Sequence, residues 1–383
     1  MNGLTTTNAA PTHDLSWIRE RLQDAIALEC STLPLYLAAM FSLEVQNSTA
    51  YTAIRSVAME EMVHMAIAAN ILSALGGSPA IAGLRFGYPV KGLPGGVEPD
   101  LEVGLAKLSR AQLRNFLRIE MPEFLLRRSD SSETYPTIAK FYGEIRDAIV
   151  ANETEIRAVM TNPVKANQVD DNIGFHAVKN SPTSDTFSQV LAGIDEILEQ
   201  GEGSPSHSMF TGAGSEDESS HYNRFNELYH GHSYLDLVPT VGMTLENEPS
   251  FYKGREIPFP PVINTLAVPA DGYARILAAD PNAAAVTVDL TAFDNVFSSI
   301  LGALNAVWNG DQKASWKTLG GAVHSMVDLR VLSCFNLLRH QIPPDVAKQI
   351  PALYGDEAKF LARYSDLDAP LFYGPRFFNT NTP

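Results

Sequence analysis

Apolar residues recur at Leu15, Ile18, Leu22, Ile26, Leu33, Leu37 and Met40, a spacing that predicts a helix from about residue 15 to 40. Asp14 or Ser16 can cap its start. After a break at Asn47 to Thr49, a second stripe runs through Ile54, Val57, Ala58, Met65, Ala68, Leu72 and Leu75. It predicts a helix from Tyr51 to Leu75, stopped by Gly76-Gly77 with Pro79 beyond. A loop this short makes the two helices antiparallel neighbours. Helical patterning returns over 109–128, 136–160, 185–200, 215–229, 291–308 and 316–338. Residues 81–100 hold five glycines and three prolines and read as loop with a short hairpin. Residues 161–184 are polar and irregular, and 235–272 hold six prolines. Pro34, inside the first helix, predicts a kink or bulge.

There is no alternating strand–helix pattern and no fixed-period repeat. The fold class is therefore mainly α, a helix bundle with additional helices and a long Pro-rich excursion. The chain divides into a flexible tail (1–14), a bundle carrying the site (15–234), a Pro-rich irregular segment (235–272), C-terminal helices packed on the bundle (273–365) and an extended tail over the surface (366–383).

Composition narrows the function. With 383 residues, 45% hydrophobic and 19% charged, the chain is globular. Its 28 basic against 44 acidic residues leave a net charge of −16, which argues against nucleic acid and anionic membrane surfaces as partners. Two cysteines, Cys30 and Cys334, exclude a disulfide framework and an all-cysteine metal site. The polar start to Asp14 does not read as a signal peptide, and no uninterrupted apolar run approaches a membrane span. A cytoplasmic protein is expected.

The chemistry lies in acidic residues that share the apolar stripes. Glu29 falls between Ile26 and Leu33 on the buried face of the first helix. A carboxylate there costs several kcal/mol unless its charge is compensated. On the second helix Glu61 and His64 fall on the stripe with the spacing Glu-x-x-His, which places both on one face about a turn apart. A second Glu-x-x-His is Glu218-Ser-Ser-His221, followed by Tyr222, Phe225 and Leu228. Two such motifs with glutamates from other helices form the ligand set of ferritin-like di-metal carboxylate bundles.

For the remaining glutamate, Glu120 and Glu202 are favoured over Glu199. Each candidate has a plainer reading beside it. Ser215 to Glu218 has the form of a capping box. Glu60, four residues before His64, suits a hydrogen bond to a ligand histidine better than ligation. Cys30 suits a small buried hydrophobe, and His207, His230 and His232 suit loop positions.

The stretch from Leu28-Glu29 to Pro34-Leu35-Tyr36, then Glu60-Glu61-Met-Val-His64 with Asn70, resembles the ferritin-like domain associated with iminophenyl-pyruvate dimer synthases. Glu199-Gln-Gly-Glu-Gly203, Ser220-His221-Tyr-Asn-Arg-Phe225 and the helical pair around Phe293 to Leu332 resemble it too. The resemblance implies a ferritin-like four-helix bundle and a metal site in a biosynthetic oxidoreductase. Two iron ions are expected, with manganese or zinc compatible. Glu29 and His64 would hold one ion, Glu61 and Glu218 would bridge, and Glu202 or Glu120 would join His221 on the other. The partners expected are dioxygen and a small aromatic or amino-acid-derived substrate, and a homo-oligomer is compatible. The alternative is an iron-binding or ferroxidase protein without an organic substrate. Met40, Phe41, Met62, Met65, Phe116 and Phe225 are the expected walls of the site.

Overall fold

The computed structural model describes residues 13–125, 135, 137–160, 167–169, 174–202, 219–235, 243–244 and 246–381. Helix α1 spans Leu15–Phe41, capped by the Asp14 side chain accepting from the Trp17 N–H. Helix α2 spans Thr49–Ala74, capped by Ser48, and the chain leaves it through Gly76 at φ +78. That left-handed turn is one glycine enters without a Cβ penalty. From Leu28 to Phe41 every residue of α1 is buried, so this helix is central. The helix runs unbroken through Pro34, without the predicted bulge. The Tyr88 hydroxyl donates to the Ser31 carbonyl in the turn that the proline loosens.

A short antiparallel hairpin, β1 (Val90–Leu93) and β2 (Val97–Val103), leads to helix α3 (Arg110–Ile119). The helix expected over 109–128 stops at Ile119, since Pro122 disfavours helical backbone at the residue before it. The helix expected over 136–160 splits at Asn152 into α4 (Ile138–Ala151) and α5 (Glu153–Val159). Helix α6 (Thr186–Glu202) continues through Gly201. Helix α7 (His221–His230) begins later than the predicted Ser215. Its cap is Ser220, which accepts from the Asn223 N–H, and Gly231 ends it in the left-handed region at φ 75. The Ser215–Glu218 capping box lies outside the described residues.

Helices α1, α2, α6 and α4 form a closed ring, each packing on the next, with α3 and α7 paired across one side. The C-terminal part is α8 (Ala274–Ala279), the long α9 (Ala283–Asn309) and α10 (Ser315–Val331). Helix α9 begins well before the predicted Thr291 because Ala283 to Ala285 favour helix without marking an apolar stripe. Helix α10 passes into a π turn over Leu332–Asn336 and a 3₁₀ turn over Leu337–Arg339. Three short helices that the periodicity did not predict follow: α11 (Pro344–Ala347), α12 (Ile350–Tyr354) and α13 (Glu357–Tyr364).

Two expectations change. The C-terminal tail does not simply drape the surface, because it is rich in rings. Tyr373 and Phe377 are buried, Phe377 packs edge-on against Phe293 and Phe297, and Arg376 pairs at 2.7 Å with the buried Asp294 of α9. Helices α1 and α9 also reach the length and mean hydropathy of a membrane span, although α1 spends that character on packing, with 89% of its apolar window buried.

Asn70 ties the bundle to the rest. Its side chain donates to the carbonyls of Val169 (3.0 Å) and Phe175 (2.9 Å). It accepts from the Val169 N–H and the Trp308 indole, both at 2.9 Å. Asn70→Ala strands four buried groups, each costing about 1–3 kcal/mol. A loss of roughly 3 kcal/mol or more is expected, read as a lower urea midpoint. An unchanged midpoint would refute the assignment.

Candidate metal centre

Glu29, Thr32 and Tyr36 follow one another on α1 at spacings of three and four, so they share a face. Glu61 and His64 do the same on α2. The face where these helices meet α3 and α7 collects three carboxyls and two imidazoles, all essentially closed to solvent: Glu29, Glu61, Glu120, His64 and His221. Glu120 sits at the C-terminal cap of α3, and His221 is the first residue of α7. One ligand atom each from Glu61, His64 and His221 lies within 4.8 Å of the others.

The hydrogen bonds around the cluster turn the imidazoles in one sense. The Gln200 amide donates to Glu196 at 2.6 Å, so its oxygen faces His64 and accepts from Nε2 at 2.8 Å. That leaves the His64 Nδ1 lone pair aimed at Glu29 (3.8 Å) and Glu61 (3.9 Å). His221 donates from Nε2 to Glu60 at 3.0 Å, and its Nδ1 lies 2.9 Å from Glu61 Oε1 and 3.4 Å from Glu120 Oε2. Although close, Nδ1 of His221 is not aligned for a hydrogen bond to either and is an orphaned buried atom. The two rings stack with centroids 5.3 Å apart.

The carboxyls are held on their far sides. Tyr142 of α4 donates to Glu29 at 2.6 Å, Thr32 donates to Glu61 Oε2 at 2.7 Å, and the Tyr36 hydroxyl donates to Glu120. Each carboxyl therefore keeps an oxygen turned to the centre. Tyr36 is wedged between Phe116 (4.7 Å) and Phe225 (5.2 Å), which wall the site as expected. Met40, Phe41, Met62 and Met65 do not. They line the cavities toward α10 instead; Met62 and Met65 each follow a ligand by one residue and are turned from it by about 100°.

A bound cation would relieve the electrostatics of this cluster. Burial, and then the charge of Glu61, push the carboxyls of Glu29 and Glu120 above the usual range. Burial would also raise Glu61, but His221 more than reverses it and holds Glu61 low. Burial keeps His64 neutral by lowering its pKa. Burial would lower His221 as well, yet Glu120, Glu60 and Glu61 overcome it and draw a second proton onto the ring. Among the described residues no guanidinium pairs with the three carboxyls: Arg224 is spent on Glu60, at 2.6 and 3.1 Å, and on Ser56.

Ligand atoms separated by 2.9–3.9 Å fit around ions whose bonds are about 2 Å long. The donor set fits a metal centre: Glu61, His64 and His221 could hold an ion, with Glu29 and Glu120 as further carboxylate donors beside them.

Of the other residues singled out from sequence, Glu218 and the Glu202 side chain lie outside the described residues. Helix α6 nevertheless ends against the site, since a Cβ on Gly201 would stand 3.9 Å from Glu120 Oε2. Glu199 is exposed, and His230 stacks on Tyr252 away from the cluster. His207 lies outside the described residues, while His232 is exposed. Sequence reasoning gave no role to Thr32, Tyr36, Tyr142, Gln200 or Arg224. The first two were detectable from their spacing after Glu29, whereas Tyr142 and Gln200 carry no local signal.

Glu60 holds His221 from behind. Burial opposes its charge, but His221 and Arg224 outweigh burial and bring its carboxyl down to about 2. A depressed carboxyl contributes stability above its ordinary pKa and loses it as pH falls through the folded value. Glu60→Gln is therefore expected to lower stability at pH 7, with the gap from the wild type narrowing below pH 4.5. Metal affinity should fall by about 10- to 100-fold, measured by competition with a chelator. Wild-type affinity in this variant would remove Glu60 from the site's support.

A ring of helices enclosing three carboxyls and two imidazoles is the layout of the carboxylate metal bundles. The sequence matches the family described as Ferritin-like over residues 22–230, more than half of the chain, and the protein belongs to that family. A solved structure of a ferritin-like protein from Caulobacter vibrioides superposes with a TM-score of 0.56 at 21% identity, covering 83% of this chain and 97% of that one. Likeness at that identity is a likeness of fold. No curated protein matches the chain.

Proposed function

We propose that the protein is a di-metal oxidoreductase, using iron and dioxygen on a small aromatic or amino-acid-derived metabolite, of the kind handled in iminophenyl-pyruvate dimer synthase pathways. The observation that carries this reading is the orphaned Nδ1 of His221 among three buried carboxyls. Mixed carboxylate and imidazole donors suit iron. A bound iron pair would supply the electrons for dioxygen chemistry.

The chain's own residues do the rest. Gln200 and Glu60 hold Nε2 of the two imidazoles and so keep both Nδ1 atoms turned to the carboxyls. Tyr142, Thr32 and Tyr36 fix the carboxyl orientations and stand ready to donate or hold a proton at Glu29, Glu61 and Glu120. The Tyr36, Phe116 and Phe225 rings keep water from that side.

A specific observation favours the alternative, an iron-binding or ferroxidase protein without an organic substrate. Among the described residues, the three cavities that flank α1, α2 and α10 are lined by none of the cluster's residues. Stopped-flow mixing of the Fe(II)-loaded protein with oxygen, with and without aromatic amino acids and their 2-oxo acids, separates the two. Substrate-accelerated oxygen consumption with a modified organic product supports the oxidoreductase. Iron oxidation indifferent to every compound supports the ferroxidase, and an absence of bound iron refutes both.

A further inference from the structure

Helices α1 and α2 have a second working face. One side carries the cluster, and an adjoining side, with Cys30, Leu33, Met62 and Val63, meets α9 and α10 across an unfilled seam. The seam holds a cavity of about 220 Å³, and every side chain lining it is apolar or a cysteine. An apolar cavity of about 150 Å³ already accepts benzene, so this one has room for a larger organic group.

The cavity adjoins a second, of about 290 Å³, since Leu37, Met59, Met62, Val323 and Met326 line both. The second differs in kind: Tyr51, Arg55 and Arg330 join its lining. Arg330 reaches only neutral groups, Gln46 at 3.2 Å and the Tyr51 hydroxyl at 3.4 Å. Among the described residues neither guanidinium pairs with a carboxylate, in a chain whose acids outnumber its bases by 44 to 28. Two guanidiniums from different helices beside a phenol make a seat for a carboxylate head. The methionines between this seat and the dry end can adapt to a flexible chain.

We propose that the seam between the bundle and α9–α10 is a binding site for a medium-chain, fatty-acid-like monocarboxylate. Its head would sit between Arg55 and Arg330, and its tail would fill the space beside Leu304, Leu319 and Ala322. The site does not depend on the metal cluster, because no residue of the cluster lines either cavity.

Calorimetric titration of the purified protein with decanoate tests it. One saturable site is expected, with decanol bound at least tenfold more weakly. Arg330→Gln and Arg55→Gln should each weaken decanoate at least tenfold. Ala322→Leu, which shortens the cavity, should do the same while thermal unfolding stays cooperative, and Met326→Phe serves if that variant does not fold. Binding should persist in Glu61→Ala and after chelation. The proposal is overturned if decanoate does not saturate a site, if both arginine variants bind as the wild type does, or if chelation abolishes binding.

Discussion

Glu61→Ala is expected to leave a folded protein that has lost its metal. Glu61 is the carboxyl between the two imidazoles: its Oε1 lies 2.9 Å from His221 Nδ1 and 3.9 Å from His64 Nδ1. In the proposed centre its removal would take away a donor that both ions would share. The loss in affinity should exceed the roughly 100-fold upper range seen for residues that merely support ligands. The fold should survive, since the variant relieves repulsion among Glu29, Glu61 and Glu120, and Thr32 keeps the Glu29 carbonyl as an acceptor at 2.8 Å. Metal analysis of protein purified without added metal checks this, with His64→Ala as a parallel variant. A stoichiometry near two that vanishes in both agrees with the site. Unchanged content in both removes Glu61 and His64 from it.

Stripping the metal from the wild type is expected to have the next largest effect. A ligand bound only by the folded state stabilises it by about 4 kcal/mol at a thousand times its Kd. Chelation should remove that increment and lower the melting temperature, and Fe(II) or Mn(II) should restore it. The increment should shrink as the solution is acidified, because protons compete for the same carboxylates and imidazoles. Melting curves of the chelated and reloaded protein at pH 8 and pH 6 measure both effects. Identical curves after verified removal of the metal would mean that the cluster is tolerated without cations, and the charge argument for the site would fail.

Much of the site was readable along the chain because α1 and α2 are long, regular and buried. On such helices a polar residue within an apolar stripe must point inward, so Glu29, Glu61 and His64 stand out. The same logic reached Glu120 and His221 with less support, since each lies at a helix end where periodicity fades. It could not see that Glu60, four residues before His64, would serve His221 instead. That pairing depends on where α7 lands, not on spacing along α2. It also placed the methionines on the wrong side, reading neighbours of ligands as neighbours of the metal.

By itself the chain determined that helices would dominate, that the first two would be antiparallel and buried, and that uncompensated acids would sit inside them. These follow from local rules, the 3.6-residue period and the cost of a buried charge. Only the tertiary structure decided which side chains face each lone pair, because contacts between Tyr142 and Glu29, Gln200 and His64, or His221 and Glu60 span more than a hundred residues. The seam beside α10 is likewise a property of how two helix pairs pack, since its shape depends on volumes that no single segment contains.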